Sequence, residues 1–130
     1  NNGLSTVQEM YDFYIKEILH NEIVDQLRAE FTSTKIFTMP TGWATFNLYQ
    51  MNIDDLLLDQ IDMFGSSASS IFVHLKRHQG NILKKTGSLV WLHSIYNVDL
   101  NTNTYKTDYN TDLHEIAKEI MDNHDVNYKH

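Results

Sequence analysis

The sequence predicts an α+β fold: N-terminal helices covering a three-stranded antiparallel sheet, with a last helix closing the chain. Three observations carry it. Apolar residues in the first half recur at helical spacing. Between Ser69 and Leu113, stretches of alternating side chains are separated by polar turns. Asp112 stands three residues before Glu115, the spacing of a capping box at a helix start. Residues 1–130 read as one domain, long enough to bury a core without staples.

The first helix opens at Ser5 or Thr6, each with Gln8 or Glu9 three residues on. Val7, Met10, Tyr11, Tyr14 and Ile18 form its stripe, widened by Phe13, Ile15 and Leu19. Its aromatic face has two readings: core packing, or a tyrosine hydroxyl pointing into a cavity. His20 or Asn21 breaks the pattern, and a short amphipathic helix follows from about Glu22 to Phe31. In the link that follows, Pro40 and Gly42 mark a turn, and Ile36 and Phe37 begin a short strand. A third helix, or two short ones, covers Thr45 to about Leu58, with Asn52 and Asp55 able to cap a fresh start at Ile53. Ile61 to Phe64 is a short apolar run, and the small residues from Gly65 to Ser69 make a tight connection.

The sheet begins at Ser70–His78, where Ile71, Val73 and Leu75 alternate with Phe72, His74 and Lys76. A hairpin near Ile82–Lys84 leads into Leu89–Tyr96, apolar on both faces and therefore central. After a turn at Asn101–Thr104, Tyr105–Asn110 alternates as an exposed strand. Thr111 or Asp112 caps the last helix, Leu113 to Met121, and the polar tail after it frays.

Composition narrows the function. The net charge of -7 argues against nucleic acid, which needs a basic patch. The basic clusters, Lys76-Arg77-His78 and Lys84-Lys85, read as solvated strand-end and turn positions. The absence of cysteine excludes disulfides, thiol catalysis and cysteine zinc sites, and fits a reducing cytoplasm. No apolar run approaches the ~20 residues of a membrane span, and NNGLSTVQEM lacks the pattern of a signal peptide.

Several stretches carry a likeness: FYIKEIL and HNEIVDQLRAEFT, then SSIFVHLKRHQGN, KKTGSLVWLHSIYNVDL and YKTDYNTDL. In this order the chain resembles the nuclear transport factor 2-like superfamily, in particular its SnoaL-like polyketide cyclase and ketosteroid isomerase-related members. The resemblance implies a cystatin-like cone, a curved antiparallel sheet wrapped around the N-terminal helices, holding a small apolar molecule at its mouth. It also implies a homodimer through the outer sheet face, and cofactor-free general acid–base chemistry. Asp112 falls where the family's aspartate follows the last strand. Tyr109 takes the place of the usual aromatic, three rather than four residues before it. Thr38 falls where the family has a histidine, and it is not a base.

The candidate catalytic residues are Asp112 and His93. Asp112 reads either as a general base or as a helix cap. His93, inside an apolar strand, reads either as a pocket-facing acid/base or as a buried neutral imidazole. Tyr11, Tyr14, Trp43, His74, Trp91 and Tyr109 are the candidate lining residues. His74 falls near Leu92 across the hairpin, but a shared metal lacks a third ligand, so no metal or cofactor is expected. His20, His114, His124 and His130 read as surface. Two functions follow: a proton-transfer isomerase or cyclase acting on a carbonyl compound, or a non-catalytic binding or dimerisation module.

Overall fold

The computed structural model describes residues 3–75 and 78–130; the predicted Lys76–Arg77 strand end lies outside the described residues. The chain divides into two compact units. The smaller holds the residues up to Thr38 together with Asp125–His130; the larger is Met39–His124.

In the smaller unit the break expected at His20–Asn21 is absent. Helix α1 (Val7–Phe13) runs into a π-helical stretch (Tyr14–Val24) and on into α2 (Asp25–Glu30). Thr6 is the N-cap: its side chain accepts from Glu9 N–H, and the Glu9 carboxylate accepts from Ser5 and Thr6, a complete capping box. Asn21 does not end the helix, because its amide donates to Glu17 one turn back, 3.1 Å away. The tail expected to fray is also ordered. Val126–Tyr128 forms a 3₁₀ turn, and Tyr128 is buried.

The larger unit overturns the predicted cone. Its only sheet among the described residues pairs β1 (Asp62–Phe64) with β2 (Ser70–Phe72) in parallel, three residues each, with Asp62 opposite Ser70 and Phe64 opposite Phe72. Most of the segment read as the central hairpin and strand is one helix, α4 (Asn81–Tyr96). The reason lies in its two-sided apolarity. Alternation cannot tell a strand buried on both faces from a buried helix. The residues it buries, Ile82, Leu83, Thr86, Leu89, Val90 and Ser94, recur at three- and four-residue steps. The helix stops at Asn97, in the left-handed region at φ 53°. Tyr105–Asn110 is a loop rather than an exposed strand.

The other helices stand closer to expectation. Helix α3 (Gly42–Ile53) begins just after Pro40 and ends where a fresh start was expected. Asp55 takes φ 55°, and Leu56 N–H bonds back to Met51 C=O at 2.9 Å, which closes the end as a Schellman motif. Helix α5 (Leu113–Asn123) starts at its Asp112 cap.

The core joins Ala44 and Leu48 of α3, Ile71 and Phe72 of β2, Leu83, Leu89 and Val90 of α4, and Leu113, Ala117 and Ile120 of α5. Each leucine, isoleucine, valine or phenylalanine side chain this deeply buried contributes ~1.5–3 kcal/mol.

Candidate functional site

The eight predicted site residues fall in separate places. Tyr11 and Tyr14 belong to the smaller unit and the other six to the larger. Asp112 is the N-cap of α5, its Oδ1 accepting from His114 N–H and Glu115 N–H, each at 3.0 Å. His93 sits in the last turn of α4, and its Nδ1–H donates to Val98 C=O at 2.9 Å, so the ring fastens the helix end. His74 is exposed and meets His78, ring centroids 4.4 Å apart. Trp43 packs on Phe46 and the core edge, while Trp91 is half exposed on α4. Tyr109 donates to Ala68 C=O at 3.1 Å with the Lys85 ammonium over its ring, and burial pushes its phenol up.

Of the eight, only Asp112 borders the polar concavity of about 270 Å³ beside the start of α5. The rest of its wall is Leu100, Asn101, Asn103, His114, Glu115 and Lys118. Asn103 Oδ1 accepts from Tyr105 N–H at 3.1 Å, which identifies that atom as the oxygen. His114 Nε2, 3.0 Å from the same oxygen, must then carry a hydrogen, and a neutral ring keeps its lone pair on Nδ1. Asp99 folds the loop behind: bonds from Asn101 first, then from Thr102, together with the electrostatic influence of nearby His93, outweigh burial and hold its carboxyl below the usual range. Chemically this is one imidazole lone pair among amides and carboxylates. The amides that open α5 are taken by Asp112, and Lys118 is held by Asp122. Among the described residues no three histidine, aspartate or glutamate side chains gather as metal ligands.

A different feature stands out in the smaller unit. Val7, Met10, Tyr14, Ile23, Leu27 and Phe31 are each between 37% and 66% exposed, with Ile18 and Leu19 partly so. From Tyr14 onward the row runs Ile18, Ile23, Leu27, Phe31, in steps of four and five. Such steps drift off one face of an α-helix. A π-helix, bonded i to i+5, holds more residues per turn and keeps them in line. The π-helical Tyr14–Val24 stretch is where those steps begin, and Asp25 N–H closes it onto His20 C=O.

A second row on the same helix, His20, Val24 and Arg28, is turned inward. His20 is 3% exposed and stacks on Tyr128, centroids 3.6 Å apart and planes 9° from parallel. Its Nε2 lies 3.0 Å from Thr38 Oγ1. The Tyr128 hydroxyl donates to Asp25 at 3.0 Å. The Arg28 guanidinium lies 4.9 Å from the centroid of the same tyrosine ring and donates twice to Ile36 C=O. His20 is thus a structural residue that sequence reasoning placed on the surface. The signal that could have found it is the four-residue spacing of His20, Val24 and Arg28, one side of a helix.

Comparisons with family models, with curated proteins and with solved structures find no match.

Proposed function

We propose that this chain is a non-catalytic binding module that takes up a helix of another protein along the apolar face of residues 7–31. The observation that carries this is the exposed row from Val7 to Phe31, kept on one face by the π-helical stretch. A single row one side chain wide, running the length of a helix, fits the mode in which two helices lay their apolar faces together. Contiguous exposed apolar surface of this kind marks interaction sites, and π turns concentrate at functional positions. The proton-transfer alternative loses support on two counts. The cone it required is replaced by helices, and both candidate bases are engaged, Asp112 as a cap and His93 with Val98 C=O. The face offered for association is helical rather than the outer side of a sheet. Among the described residues no helix is long and apolar enough to cross a membrane. A cysteine-free module of this kind suits the reducing cytoplasm that we propose as its compartment.

The test is a titration of a synthetic amphipathic helix, leucines on one face and glutamines elsewhere, into isotope-labelled protein. Amide shifts confined to residues 7–31 are expected. The paired substitution Ile23→Asp and Leu27→Asp should weaken binding by at least about tenfold, the effect of unpaired charge on a desolvated surface, with the circular dichroism spectrum unchanged. Shifts that map to α4 and α5, or an affinity indifferent to the pair, would sink the reading.

A further inference from the structure

The helix that carries the row is acidic. Between Val7 and Phe31 stand Glu9, Asp12, Glu17, Glu22, Asp25 and Glu30 against only Lys16 and Arg28. Arg28 is committed inward, to Ile36 C=O and the Tyr128 ring. Asp25 is engaged with the Tyr128 hydroxyl, and Glu9 with its capping bonds. Glu17, Glu22 and Glu30 are all exposed. Each directly precedes a member of the apolar row, namely Ile18, Ile23 and Phe31, and so is offset to the same side of it. The row therefore runs beside a carboxylate rim.

Resting on the reading above, we infer that the occupant is a basic amphipathic helix, its apolar face edged by lysine or arginine. Complementary rims steer two helices together and fix which pair forms. A second copy of this chain would set its own acidic rim against this one, and like charges facing each other oppose association. The whole chain, at a net -7, adds to that repulsion and to the attraction of a cationic partner.

Three peptides sharing one leucine face test this, with the rim made of lysine, glutamine or glutamate. Each is titrated into the full chain, read by the amide shifts of residues 7–31. The lysine peptide should bind about tenfold tighter than the glutamine peptide, and the glutamate peptide more weakly than both. The lysine advantage should shrink as salt rises from about 0.1 M to about 1 M, where screening shortens to a few Å. The triple reversal Glu17→Lys, Glu22→Lys and Glu30→Lys should invert the order of the peptides, circular dichroism confirming that the helix persists. Equal binding by the lysine and glutamine peptides overturns the basic partner while leaving the docking face intact. Binding by none of the three overturns the docking face itself. Sedimentation showing a dimer at micromolar concentration that Leu27→Asp dissolves would put a second copy on the face and overturn the basic partner.

Discussion

A methyl group on residue 80 would have nowhere to go. An ideal Cβ built on Gly80 lies 1.8 Å from the Ser70 carbonyl oxygen, where Gly80 N–H bonds Ile71 C=O and α4 begins. The obstacle is backbone on the buried strand β2, so it cannot swing aside. Gly80→Ala should cost ~1–3 kcal/mol, as overpacking does, and thermal unfolding of the chain should fall by several degrees; an unchanged midpoint would remove the close approach. Glu9 makes a second case at this scale. Bonds from Ser5 N–H and hydroxyl first, then Thr6 N–H, hold its carboxyl down from 4.5 to about 2. A folded value below the unfolded one means that the stabilisation is present above about 4.5 and is lost as pH falls toward about 2. A carbon-detected titration of Glu9 should show that low midpoint, with the Ser5 and Thr6 amides moving in step. A midpoint at the ordinary value would mean that the cap is open in solution.

At the scale of elements, Gly87 decides between helix and hairpin. It sits inside α4, and a Cβ there meets nothing within 4 Å. In a helix, Gly87→Ala should stabilise the chain by ~0.5–1 kcal/mol; in the connection from the expected hairpin at Ile82–Lys84 into Leu89–Tyr96 no such gain would follow. Chemical denaturation reads the sign directly. This segment also shows where the sequence was legible and where it was not. The cap at Asp112, the start at Thr6 and the turn at Pro40 were readable, because each depends on residues a few positions apart. Asp112 was itself visible as a candidate, and the structure gives it the cap role. What failed was periodicity. Leu89–Tyr96 carries apolar residues on both strand faces, so the two-residue and the helical readings both fitted, and the alternation was read as a central strand covered on both sides. The exposed row failed for the opposite reason. Its one step of five, Ile18 to Ile23, falls off an α-helical face, so the row read as two helices with a break at His20–Asn21.

At the scale of the whole molecule, the two units rest on unequal interiors. The larger closes over leucines and isoleucines from four elements and from Leu100 of a loop. The smaller is tied chiefly through His20, Val24 and Tyr128, with Asp25, Arg28 and Thr38 around them. Few buried apolar side chains imply easy local opening. Tyr128→Ala removes the stacked ring and the Asp25 bond together. It should raise hydrogen-exchange rates across residues 14–30 by about tenfold or more while those of α4 and α5 hold. Exchange rising equally in all helices would show that the molecule opens as one unit.

Tyr128 and its partner Asp25 are separated by 103 residues. On the ribosome the helix that carries Asp25 emerges well before Tyr128, so its inward row has no lid until Tyr128 has been added and has cleared the exit tunnel. Until then both faces of that helix, the one for Tyr128 and the one for the proposed partner, stand open to whatever meets the nascent chain.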